Sequence, residues 1–238
     1  MLSFSPDFAY LREPVNRSFQ RMFKVDPITD PGSDRKILRW YTRFADQAFA
    51  GVPPRNIEDV VDNEEDFFLV RRRNKTLLLK EVNPLATEFF VRRYSPKVVL
   101  IVRHPAAVAD SFERMGWLNR NLEEFGYLYG THLAQAIEAS KKVWSMVVAF
   151  EDLATDPLNR YPSLFSSLGV RLPAEFTRIV AEFCDNQNYQ GHPYDVRRLS
   201  SGEINKWEKN LSESQINAVM KGYLRAPLEY YRGETAWR

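Results

Sequence analysis

Apolar and polar positions along the chain follow two different periods. From Arg35 to Ala50, apolar side chains recur at three- and four-residue spacing through Ile37, Trp40, Tyr41, Phe44, Ala48 and Phe49. That period predicts a helix with a broad apolar face, and Gly51-Val-Pro-Pro stops it. Three shorter runs are apolar without alternation: Thr76–Leu79, Lys97–Val102 and Met146–Phe150. Such runs read as strands covered on both faces, as in a parallel sheet. Helical patterns at Leu85–Tyr94, Ala106–Met115, Glu123–Lys142 and Pro157–Leu168 lie between and after them. The alternation predicts an α/β fold, a parallel sheet flanked by helices. The turn formers from Asp26 to Asp34 predict a loop. Beyond Pro173 the chain reads mainly helical, with an irregular stretch from Asn186 to Ser201.

Composition narrows the picture. The 238 residues suit one good-sized domain spanning 1–238. Thirty-three basic against 31 acidic residues leave a net charge of +2. That balance gives no reason to expect a nucleic-acid partner, though a local basic pocket remains compatible with it. The single cysteine, Cys184, excludes an internal disulfide and a cysteine-rich zinc site and reads as a buried small hydrophobe. His104, His132 and His192 are far apart, so no metal is expected. No apolar stretch reaches membrane-spanning length, and the N-terminus, with Asp7 early, is not a secretory signal. A cytoplasmic location is the simplest expectation. Arg71, Arg72 and Arg73 with Lys75 read as a solvated turn.

Each apolar run ends in charge: Lys80-Glu81, Arg103-His104 and Glu151-Asp152. Ligands of open α/β sheets bind at the carboxyl ends of the strands, so these tips suggest an anion-binding crevice. In KVVLIVRHPAAVADSFERMG, Arg103 falls at a strand tip, Pro105 suits the first helical position, and Ser111 lies about two turns along. The guanidinium and the hydroxyl could converge on one phosphate. Equally, Arg103 could pair with a carboxylate while Ser111 is a small core residue. His104 reads as a helix-start residue rather than a base.

The strand–Arg–x–Pro–helix–Ser segment from Arg103 to Ser111 resembles the 3′-phosphate-binding segment of sulfotransferases that use 3′-phosphoadenosine-5′-phosphosulfate (PAPS). VVAFEDLATDPLNRYPSLFSSLGV resembles a later family pattern of strand, acidic pair, DP turn and helix. LSSGEINKWEKNLSESQ resembles the C-terminal loop that closes over the nucleotide. Near the N-terminus, SPDFAYLREPVNR resembles a stretch of the tyrosylprotein and carbohydrate branches, and TLLLKEVNPLA resembles the second-strand region. The likeness runs from Phe8 to Tyr230. It implies a P-loop-kinase-like sulfotransferase fold and sulfuryl transfer from PAPS to a hydroxyl or amine. The acceptor would be a small molecule, a carbohydrate or a peptide. Lys80 would approach the sulfate and Glu13 would be the base. Glu13 could also be a surface or capping carboxylate, and Glu81 is the rival base. Arg103 and Ser111 would hold the 3′-phosphate, while Ser201, Gly202 and Lys206 would contact the nucleotide.

The family's first strand and its Gly/Ser/Thr-rich phosphate loop have no counterpart here. None of the ten glycines lies in such a run, and Gly130-Thr131 falls inside a helical pattern. The family order places the loop before Met1. The expectation is therefore a chain that starts after that loop, through a mis-assigned start or a truncation, then a degraded gene, then a pseudoenzyme that repacks. Losing even one donor to a developing charge typically costs about 10²–10³ in rate, so little transfer is expected from the chain as written. The alternative is a non-catalytic protein that binds 3′-phosphoadenosine nucleotides or a protein partner. A kinase-like enzyme is the weakest reading, since no magnesium-binding pattern appears.

Overall fold

The computed structural model describes residues 1–16, 18, 28–53, 64–70, 72–185 and 199–237. Arg71, His192, the first residues of the expected loop at 26–34, and most of the irregular stretch at 186–201 lie outside them. The chain divides into two compact units. One comprises Met1–Pro96 and Leu164–Ala174, the other Lys97–Ser163 and Glu175–Arg238.

In the first unit, β1 (Phe8–Arg12) runs parallel to β2 (Thr76–Lys80), with Phe8 opposite Thr76 and Arg12 opposite Lys80. The apolar pattern anticipates β2 but not β1. Its five residues FAYLR carry no long apolar run, and burial of Phe8, Ala9 and Leu11 together with the ladder to β2 makes them a strand. Helix α1 (Arg35–Phe49) starts at Asp34, whose carboxylate accepts from the Lys36 and Ile37 N–H groups at 2.6 and 3.2 Å. This is N-cap chemistry. The apolar face of α1 buries Tyr41 and Ala45 with Val15, Ala86 and Phe90. Phe90 lies on α2 (Thr87–Tyr94), which follows a single 3₁₀ turn at Pro84–Ala86 instead of starting at Leu85.

Arg72 departs from its sequence reading. It is buried, not a solvated turn, and its guanidinium donates to the carbonyls of Ala48 at 3.0 Å and Phe49 at 2.6 Å. Those carbonyls end α1, where the Ala48 carbonyl also accepts from the Gly51 N–H at 3.2 Å and a cation suits the negative end of the helix dipole. Lys75 beside it pairs with Asp66 at 3.1 Å.

In the second unit, β3 (Val98–Val102) runs parallel to β4 (Ser145–Ala149). Between them come α3 (Pro105–Arg114), with Pro105 in its first turn, and α4 (Leu122–Ser140). The third apolar run reads as a strand to Phe150, but β4 ends at Ala149 and passes directly into α5 (Phe150–Thr155), placing Glu151 and Asp152 in a helical first turn, where negative charge is favoured. Then follow α6 (Pro157–Leu168), α7 (Phe176–Cys184), α8 (Trp207–Asn210) and α9 (Glu213–Tyr223). The division between the two units falls within α6. Helices α4 and α9 pack backbone to backbone. A Cβ added at Gly222 would strike the Glu123 carbonyl, and one at Gly126 the Val219 carbonyl.

The fold is α/β, with small parallel sheets flanked by helices. Each sheet has two strands, so each predicted strand has one parallel neighbour among the described residues. No helix among those residues is long and apolar enough to cross a membrane. Cys184 is buried and in no disulfide, and burial raises its thiol pKa.

Candidate functional site

Parallel pairing of β1 and β2 sets their carboxyl ends side by side. Glu13 follows one strand, Lys80 ends the other, and Glu81 comes next. The Glu13 N–H donates to the Lys80 carbonyl at 2.8 Å. The Lys80 ammonium donates to Glu13 Oε1 at 2.9 Å. Glu13 is buried, and its φ is 53°. That is the left-handed region, which costs a non-glycine residue roughly 1–2 kcal/mol. Strain of this sort concentrates at functional sites, and here it turns the carboxylate toward Lys80.

Glu81 occupies the same corner. Its Oε1 accepts from the Val82 and Asn83 N–H groups at 2.9 and 3.1 Å, and its Oε2 accepts from the Tyr41 hydroxyl at 3.3 Å. Burial pushes its carboxyl up from 4.5 to about 7. The backbone donors pull the other way, and the nearby Glu13 charge adds to the rise. Burial also raises the Tyr41 phenol well above its ordinary value, so Tyr41 stays a hydrogen-bond donor. A carboxyl poised near neutrality can accept a proton from a hydroxyl or amine.

The second unit carries the other predicted residues. Arg103 sits just beyond β3. Its guanidinium donates to the Glu203 carbonyl at 2.9 Å and lies 4.5 Å from the Phe150 ring centroid. Its own carbonyl accepts from the Tyr129 hydroxyl at 2.7 Å. Glu203 closes the 3₁₀ turn Ser201–Glu203, and its carboxylate meets Lys206 at 3.2 Å. Arg103, Ser201, Gly202 and Lys206 are thus gathered around Glu203. Ser111 lies within α3, half-buried. Its carbonyl accepts from the Met115 N–H, and the structure ties its hydroxyl to none of the other four.

His104 stands at the start of α3, as the sequence suggests, but its side chain makes no cap. The ring is buried, stacked on Trp207 at 4.5 Å with an interplanar angle of 10°. Burial lowers its pKa to about 4, and the Arg103 charge pushes in the same direction. The His104 backbone N–H donates to Glu151 Oε1 at 2.8 Å.

Sequence reasoning missed three contributors. Tyr41 reads as core, and it is core, but its hydroxyl also reaches Glu81. Glu203 carries no motif of its own. The partnership of Glu151 with Tyr231, whose hydroxyl donates to Glu151 Oε2 at 2.6 Å, spans 80 positions and leaves no local signal.

Comparison with protein-family models gives no match, and comparison with curated proteins gives none. Among solved structures the chain is similar to a "Sulfotransferase Domain from the Curacin Biosynthetic Pathway". Identity is 15%, 90% of this chain and 79% of that chain are covered, and the TM-score is 0.42.

Proposed function

We propose that this chain is a sulfotransferase-like protein whose reaction is sulfuryl transfer from PAPS to a hydroxyl or amine acceptor. One observation carries the reading. The carboxyl ends of two adjacent parallel strands bring together an ammonium, its carboxylate partner and a second carboxyl held near pKa 7.

In this reading Glu81 is the base, and Glu13 positions Lys80. The acceptor oxygen or nitrogen attacks sulfur and forms the new bond. Its proton passes to a Glu81 carboxylate oxygen. The bond from sulfur to the bridging oxygen of the nucleotide breaks, and 3′-phosphoadenosine-5′-phosphate leaves with that electron pair. Lys80 offsets the charge that develops on the sulfuryl or bridging oxygen. Arg103 and Lys206 offer cations for the 3′-phosphate and nucleotide, with Ser111, Ser201 and Gly202 as neutral contacts. Arg103 would exchange the Glu203 carbonyl for a phosphate oxygen, a stronger acceptor.

The test is transfer of labelled sulfate from PAPS to a panel of hydroxyl and amine acceptors, measured across pH. Transfer should rise through pH 7 and level above it, and Glu81→Gln should abolish that rise. Full transfer by Glu81→Gln, or no transfer to any acceptor, contradicts the reading.

The second reading is a non-catalytic protein that binds 3′-phosphoadenosine nucleotides. It draws on the cations of the second unit, Arg103 and Lys206, which bind without any transfer step. Nucleotide binding without transfer would support it.

A further inference from the structure

The second unit also holds a cavity of about 330 Å³. Its walls combine the rings of His104, Trp207 and Tyr231 with the carboxylates of Glu151 and Glu208 and the Asn205 amide. Among the described residues, no lysine or arginine lines it. Arg103, next in sequence to His104, is engaged by the Phe150 ring and the Glu203 carbonyl.

Three features suggest a built site. His104 is 4% exposed, and among the described residues its ring nitrogens have only the Ala236 backbone as a polar neighbour, at a geometry short of a full hydrogen bond. A buried polar group left in that state calls for a partner. Tyr231 has a φ of 55°, a strained conformation for a bulky residue. Its ring packs edge-on to His104 at 5.3 Å while its hydroxyl reaches Glu151. Glu151 is therefore fixed by donors from two directions, the Tyr231 hydroxyl and the His104 backbone N–H, and keeps lone pairs for another.

Such a lining disfavours anions. Two carboxylates with no lining cation repel a phosphate or sulfate ester. Aromatic faces attract a positive charge through the ring quadrupole, more strongly where water is excluded. A carboxylate held beside those faces completes a charge-assisted pair. The geometry points to a binding site for a small organic cation, an alkylammonium group set against the Tyr231 ring, with the His104–Trp207 stack as the opposite wall, and paired with Glu151. The site stands independently of the sulfuryl-transfer reading.

The experiment uses the full chain, with tryptophan fluorescence and calorimetry as readouts. The probes are choline and its uncharged isostere 3,3-dimethyl-1-butanol, at matched ionic strength. Choline should saturate with a Kd of about 1 mM or tighter, and the alcohol should bind at least about tenfold more weakly. Glu151→Gln should weaken choline about tenfold. Glu208→Gln alters an exposed residue and should weaken it about threefold at low salt, which keeps the test open if Glu151→Gln folds poorly. Equal binding of alcohol and choline overturns the site. So does the absence of saturation by about 50 mM choline, or affinity unchanged in every folded variant.

Discussion

Lys80 donates from Nζ to Glu13 Oε1 at 2.9 Å across the tips of two neighbouring parallel strands. The lysine side chain is about half exposed, at 49%, so the pair adds little to stability, on the order of 0–1 kcal/mol. Its consequence is placement. A buried carboxylate on a strained residue holds the Lys80 ammonium at the strand tips. Glu13→Gln should therefore leave the melting temperature nearly unchanged while reducing any transfer rate about tenfold or more. Thermal unfolding beside the labelled-sulfate assay checks both.

Glu81 should give stability a pH dependence of definite sign. Its folded pKa is about 7 against 4.5 unfolded, so the folded chain binds more protons between those values. Its contribution is fully present below about pH 4.5 and lost as pH rises through 7. Glu81→Gln removes that loss and should stabilise the protein at pH 8 by at most about 3 kcal/mol. Denaturant unfolding at pH 5 and pH 8 reads the difference.

His104 works in the opposite direction. Its folded pKa of about 4 lies below the ordinary 6.5. The unfolded chain then binds the extra proton, so stability is full above about pH 6.5 and falls as pH drops toward 4. The loss reaches about 3 kcal/mol at most. NMR titration of the His104 ring should show no protonation at pH 6.

Gly222 and Gly126 let α4 and α9 touch through their backbones. Gly222→Ala forces the helices apart, and the expected loss is about 3 kcal/mol or more. A melting temperature within a degree of wild type would contradict that close approach.

Arg72→Ala removes a buried guanidinium that satisfies two carbonyls at the end of α1. The expected destabilisation is about 2–4 kcal/mol, seen as a lower denaturant midpoint. Arg73→Ala, at an exposed neighbour, should change stability by less than about 0.5 kcal/mol.

What could be read in advance follows from the range of the physics involved. Strands β2, β3 and β4 and helix α1 announce themselves because their apolar periods are local. β1 does not, because FAYLR becomes a strand through its partner 68 positions away. Lys80 and Arg103 could be placed at strand tips, since a run of apolar residues ending in a cation is visible in one dimension. The pairing of Lys80 with Glu13 needs the parallel register, and the elevated carboxyl of Glu81 needs burial that no local pattern records. The burial of Arg72 leaves no local mark for the same reason: three adjacent arginines look solvated until a helix end arrives to claim one of them.

The most direct measurement is calorimetric titration of the chain with 3′-phosphoadenosine-5′-phosphate and with adenosine 5′-phosphate, using wild type and Arg103→Ala, with circular dichroism confirming that each is folded. The account predicts micromolar binding of the bisphosphate by wild type, at least about tenfold tighter than the monophosphate, with that preference lost in Arg103→Ala. No binding by folded wild-type protein, or an equal preference in the variant, would contradict it.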